Sequence, residues 1–132
     1  LSCVRSIFRI DASAKAPAKA RRIVSGQLGA VLPRAQLEEL ELMVSELVTN
    51  GIKYGAIAQN DTIVLDLRIN GGVRCAVIDP GSGFPAEAPG PDGAPPDGHF
   101  GLKLVDQLAQ RWGVTRQADC TEVWVETGSA RT

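Results

Sequence analysis

The chain lacks any apolar run approaching the roughly 20 residues that cross a bilayer, and its 14 basic and 15 acidic residues leave a formal net charge of −1. The first absence speaks against a membrane-spanning helix, the second against electrostatic attachment to nucleic acid or anionic lipid. Cysteine is scarce. Cys3, Cys75 and Cys120 form neither a close pair nor a metal-ligand spacing, so they read as reduced thiols of a cytoplasmic protein. Histidine is scarcer still: His99 stands alone, and in a loop it reads as a solvated residue rather than a catalyst or phosphoacceptor. No secretory signal and no internal repeat are evident, and a chain that begins at Leu1 is also readable as one domain of something longer. At 132 residues a single domain buries roughly 70% of its unfolded surface, enough for a core without metal or disulfide staples.

What is present is concentrated in three stretches. ELVTNGIKYG, residues 46–55, places a carboxylate and a carboxamide four positions apart in an otherwise helical, largely apolar segment. That spacing sets Glu46 and Asn50 on one helix face. A carboxylate can accept a proton, and an amide oxygen is a hard ligand suited to a magnesium ion that carries nucleotide phosphates. Taken singly, the same pattern also fits an amphipathic helix with two polar residues in water.

CAVIDPGSGF, residues 75–84, reads as a strand running into a glycine turn. Val73, Cys75, Val77 and Asp79 share one face by alternation, so Asp79 ends an apolar row aimed at the core. A carboxylate there needs a donor, because burying it unpaired costs roughly several kcal/mol or forces it to take a proton. The exocyclic amine of adenine is one candidate. Gly81 and Gly83 let the backbone turn sharply and let a flat ring approach without a Cβ in the way. A plain Asp-Pro-Gly turn is the bland alternative.

The third stretch is GHFGLKLVDQLAQRWG, residues 98–113, where Leu102, Val105, Ala109 and Trp112 recur at helical spacing, Gly98 and Gly101 stand at the helix entrance and Gly113 lies past its end. Amide N–H groups at such an entrance favour phosphate. Before it, residues 84–98 hold five of the eight prolines and no apolar periodicity. This loop, extended to about residue 100, reads as a nucleotide lid between a base-binding turn and a phosphate-binding helix.

Elsewhere the pattern predicts an alternating strand over 4–10, with Val4, Phe8 and Ile10 on one side and Arg5 and Arg9 on the other. Pro17 belongs in the first turn of a helix running to about Leu32. Pro33 opens a second helix with Leu37, Leu40, Val44, Leu47 and Gly51 as its buried stripe. Ile63, Leu65, Leu67 and Ile69 face inward from a strand that turns at Asn70-Gly71-Gly72. Strands over 114–117 and 122–127 complete a two-layer α/β sandwich with helices on one face. Lys53, Lys103, Arg21 and Arg22 read first as solvated, Trp112 and Trp124 as core or interface packing.

The order of these motifs resembles that of the GHKL superfamily of ATP-binding proteins, which includes gyrase, heat-shock chaperones, histidine kinases and MutL. ELVTNGIKYG is similar to the N box, DPGSGF to the first glycine box and GHFGL to the second, while CTEVW stands where a short final box precedes the last strand. The small size, the ELVTN opening and the LVDQLAQRWGV helix are most similar to the bacterial anti-sigma-factor serine/threonine kinases. The resemblance spans about Val4 to Glu126.

It implies a Bergerat-type fold, an α/β sandwich whose sheet is mixed, and ATP and magnesium (Mg2+) as cofactors. Position by position, Asn50 would hold the magnesium, Glu46 would act as base toward an incoming hydroxyl, and Asp79 would bind the adenine amine. Gly81 and Gly83 would shape the adenine pocket, Gly98, Phe100, Gly101 and Leu102 would line the phosphate side, and Thr121 would stand near adenine and Asp79. The chain departs from the family at Phe100, where many relatives have glycine, and at Asp119-Cys120-Thr121, where Gly-Lys-Thr is usual. The activity implied is serine/threonine phosphorylation of a STAS-type anti-anti-sigma protein, with a sigma factor as the second partner and a homodimer as a possible assembly. In that reading Arg21 and Arg22 could touch a protein partner. Two alternatives stay open: a non-catalytic module that sequesters a partner in response to nucleotide, and a histidine-kinase-like catalytic domain. Against the latter, no helical segment with an acceptor histidine is present, and Glu46 weighs for the kinase because nucleotide binding alone needs no base there.

Overall fold

The computed structural model describes residues 3–54, 61–80, 102–117 and 119–129. The elements run β1 (Val4–Asp11), α1 (Ala16–Leu28), α2 (Arg34–Tyr54), β2 (Thr62–Asn70), β3 (Gly72–Asp79), α3 (Leu102–Leu108), β4 (Arg111–Arg116) and β5 (Thr121–Ser129). The five strands form one sheet in the order β1-β2-β3-β5-β4. Phe8 and Ile10 of β1 lie opposite Leu65 and Ile63 of β2, and Leu65 and Leu67 lie opposite Val77 and Cys75 of β3. Because directly paired residues share a face, these alternating rows merge into one apolar surface, which the helices cover. Asn70 pairs with Gly72 across Gly71, whose φ of 76° is the left-handed conformation that favours glycine.

The sheet differs from the expected mixed one. Every pair among the described strands is antiparallel. The reason is topological: β3 and β4 run in the same direction, as a strand-helix-strand crossover requires, but β5 inserts between them and pairs antiparallel with both. At the other end, α1 and α2 pack on each other, and the chain returns to β2 in the direction opposite to β1.

Pro17 stands in the first turn of α1, where its missing N–H breaks no helical bond. The helix stops at Leu28, short of the expected 32, because the Val31 and Leu32 N–H groups both donate to the Leu28 carbonyl and turn the chain. Helix α2 buries Leu40, Val44 and Leu47 as its stripe predicts, and also Met43 and Val48; Leu37 is half-buried at its start. The wider apolar face follows from its place between α1, α3 and the sheet. Cys75 is fully buried in this core, and burial pushes its thiol pKa well up.

Helix α3 is shorter than its spacing predicts. It ends at Leu108, the Ala109 N–H donates to the Val105 carbonyl, and the Gln110 N–H already donates to the Glu126 carbonyl of β5. Trp112 is therefore a strand residue, half-buried against the core, with Nε1 donating to an Asp106 Oδ1 at 2.9 Å. Gly113 is a strand residue too. A Cβ there would stand 2.7 Å from Cζ2 of Trp124, so the glycine leaves room for the indole.

On the opposite face of the sheet, Asp66 is only 3% exposed. Arg5 binds it through two N–H groups, at 3.2 and 2.9 Å, and Arg68 adds a third at 3.4 Å. Burial alone would raise the Asp66 pKa, but the hydrogen bonds and charges of Arg5 and Arg68 outweigh it and hold the carboxyl below its ordinary value.

Candidate functional site

The last turns of α2 pass over the ends of β3 and β5. Asp79, the final residue of β3, is 6% exposed and pairs in register with Thr121, the first residue of β5, which is fully buried. Gly51 of α2 lies over this pair. A Cβ at Gly51 would meet Ile63 Cδ1 at 3.2 Å, Asp79 Cβ at 3.5 Å and Asp79 Oδ2 at 3.9 Å. A side chain at that position would press on the neighbours that frame the aspartate, so glycine is what lets the helix approach the carboxylate. The motif reading put Gly51 in the buried stripe but not in the site. The signal was available in the Asn-Gly pair inside a helix, where glycine costs about 1 kcal/mol relative to alanine and calls for a packing reason.

Asn50 is buried, and its Nδ2 has no hydrogen-bond partner among the described residues. A buried amide N–H donor without a described partner is costly in an apolar setting, and it fits an acceptor arriving from outside. Glu46, one turn earlier on the same helix face, is half-buried. Also on this part of α2, the Thr49 hydroxyl donates to the Ser45 carbonyl, and Arg21 of α1 donates through Nη1 to the Ser45 hydroxyl at 2.9 Å. Arg21 therefore ties α1 to the turn that carries Glu46. No sequence spacing indicated that link, since the two residues are far apart in the chain.

A model of the histidine kinase-like ATPase domain matches residues 10–127. The chain belongs to this family. Among proteins similar to it is an uncharacterized protein of Streptomyces coelicolor, 33% identical over 76 residues, a match that covers 58% of this chain and 72% of that one. Among solved structures, the RsbU and RsbW domains of Rv1364c from Mycobacterium tuberculosis superpose with a TM-score of 0.71 over 96% of this chain, at 19% identity. At that identity the likeness concerns the fold. This chain spans about a third of that protein's length, 33%.

As a histidine kinase-like ATPase domain, the protein has an ATP-binding fold; Asp79 and Thr121 pair in its sheet, and Asn50 precedes the Gly51 that meets Asp79, with Glu46 one helical turn earlier. Leu102, at the start of α3, is fully buried in the core beneath. Gly81, Gly83, Gly98, Phe100 and Gly101 lie outside the described residues, as do His99 and the loop 84–100. Among the described residues no three His, Cys, Asp or Glu side chains gather as a metal cage, and no helix is long and apolar enough to cross a membrane.

Proposed function

We propose that this domain is an ATP-dependent protein serine/threonine kinase of the anti-sigma regulatory type. The observation that supports the reading is that Glu46 and Asn50 share one face of α2, where the next residue, Gly51, sits against Asp79 of the buried Asp79–Thr121 pair. Asp79 accepts a hydrogen bond from the adenine amine, Thr121 packs beside it, and Gly51 lets α2 pack close to the carboxylate. Asn50 would hold magnesium through its amide oxygen, and the metal would supply charge neutralisation for the phosphates. Glu46 takes the proton from a partner's serine or threonine hydroxyl as it attacks. By the motif resemblance, Gly81 and Gly83 would shape the base pocket and Gly98, Phe100 and Gly101 would serve the phosphates; all five lie outside the described residues.

The partners proposed are a STAS-type anti-anti-sigma protein as acceptor and a sigma factor as the protein held. This rests on the motif resemblance and agrees with a fold shared with an RsbW domain. Single-turnover transfer from labelled ATP to a serine-bearing partner is the test, with Glu46→Gln as the diagnostic variant. Gln keeps size and helix propensity, so ATP and partner affinity should persist while transfer falls roughly 10²–10⁴-fold. Equal rates for both proteins would remove Glu46 as base. Absence of transfer from either, with ATP bound, would leave a nucleotide-responsive sequestering module.

A further inference from the structure

The face of the sheet turned away from the helices carries an unusual row. Arg5 of β1 pairs in register with Arg68 of β2, Arg68 with Arg74 of β3, Arg74 with Glu126 of β5, and Glu126 with Arg111 of β4. Four guanidinium groups thus span five strands, a width of about 19 Å at ordinary strand spacing. Like charges directly opposite each other destabilise a sheet, and among the described residues two carboxylates, Asp66 and Glu126, bridge them. Asp66 lies under Arg5 and Arg68; Glu126 bridges Arg74 at 3.5 Å and Arg111 at 3.2 Å.

The layering gives the row a direction. The carboxylates form the floor, Asp66 being 3% and Glu126 27% exposed, while the Arg68 and Arg111 side chains stand 43% and 71% exposed above them. Arg68, Arg74 and Arg111 meet these carboxylates at 3.4, 3.5 and 3.2 Å, and a guanidinium offers five N–H donors in all. Beside Arg68 and Arg74 a cavity of about 420 Å³ opens, also lined by Asn70 and Gln110. Arg74 is further held flat over the Trp124 ring, 4.3 Å from its centroid, which fixes its position at little entropic cost. Next to the row the same face turns apolar: Ile7 is 53% exposed, and Val64, Ile78 and Trp124 are half-buried.

We propose that this outer sheet face docks an acidic polypeptide segment of a protein partner, its carboxylates on Arg68, Arg74 and Arg111 and its apolar side chains on Ile7, Val64 and Ile78. Charge complementarity selects the occupant. The row has two cations in excess of its carboxylates, yet Asp66, Glu122 and Glu126 interrupt the face, an arrangement that repels the continuous charge of a nucleic-acid backbone or an anionic bilayer but accepts spaced carboxylates. The guanidinium forks match carboxylates bidentately. The inference is independent of the kinase reading, because the row lies at the opposite end of β3 from Asp79 and on the opposite face.

Fluorescence anisotropy with a labelled synthetic peptide of repeating Glu-Glu-Leu tests it. The wild-type domain should bind at low salt and release the peptide at about 0.5 M salt. Arg68→Ala/Arg74→Ala should weaken binding roughly tenfold or more, and Arg111→Ala about threefold, with ATP affinity unchanged. Arg34→Ala, on an exposed arginine of α2, should match wild type. Arg111→Ala guards against misfolding, since the Arg111 side chain is 71% exposed. Undiminished peptide binding by the double variant overturns the proposal. So does tighter binding of a single-stranded oligonucleotide or of anionic vesicles that the same variants abolish.

Discussion

Two aspartates buried on neighbouring strands, Asp66 of β2 and Asp79 of β3, meet opposite settings. Asp66 faces outward and is roofed by Arg5 and Arg68 of its own chain. Asp79 faces the helices and lies against Gly51, whose missing side chain lets α2 pack close to the carboxylate, with Thr121 beside it. The first carboxylate is answered by cations the fold supplies and serves stability. For the second, in a family of histidine kinase-like ATPase domains, the proposed role is to accept a hydrogen bond from the adenine amine. Burial of a carboxylate alone does not distinguish a structural group from a binding group. What surrounds it does.

That contrast can be broken most severely at Asn50. Asn50→Ala should lower phosphoryl transfer by roughly 100-fold, because the amide oxygen offered to magnesium is gone. Thermal unfolding of the same variant should be unchanged or shifted upward, since alanine is the better helix former and a buried Nδ2 without a described partner is removed. A variant that is both inactive and unfolded would make Asn50 structural.

Asp66→Asn should act in the reverse sense. It keeps the shape but loses the charge that holds Arg5 and Arg68, at a cost of about 1–3 kcal/mol read by denaturant unfolding, while ATP affinity stays as in wild type. Gly113→Ala should cost about 1–2 kcal/mol, because its Cβ would stand 2.7 Å from the Trp124 ring and the indole is held under Arg74. The smallest effect is on pH dependence. Asp66 has a folded pKa below its ordinary 3.8, so its contribution is fully present above that value and is lost as pH falls through the depressed one. Acid unfolding curves of wild type and Asp66→Asn should therefore converge below about pH 3.8 and separate above it.

Much of this arrangement is legible in the sequence, and the exceptions have physical causes. Alternation in β1, β2 and β3 reports one buried face, and Pro17 with the α2 stripe reports helices, because a residue's burial there depends on period alone. Trp112 and Gly113 mislead because an aromatic followed by glycine fits a helix end as well as a strand. Only the backbone bond from Gln110 to Glu126 and the Trp124 ring decide the matter. The interposed β5 leaves no local trace, since strand order follows from pairing across the whole chain. Asp66 sits in an outward-facing position of its alternation, and its cover comes from Arg5, 61 residues away. Glu46, Asn50, Asp79 and Thr121 fall on α2, β3 and β5, and the roles their motifs imply stand as proposals. The role of Gly51 emerges only when helix and strand are packed together. The glycines at 81, 83, 98 and 101 lie outside the described residues.

The central claim is that Asp79, not Asp66, is the carboxylate that receives the nucleotide base. Calorimetric titration of ATP into wild type, Asp79→Asn and Asp66→Asn, each first shown to be folded, tests it most directly. The account predicts that Asp79→Asn weakens ATP binding by about 1.5–3 kcal/mol, the worth of a hydrogen bond to a charged group, while Asp66→Asn binds as wild type. Unchanged affinity in folded Asp79→Asn, or an equal loss in both variants, would contradict it.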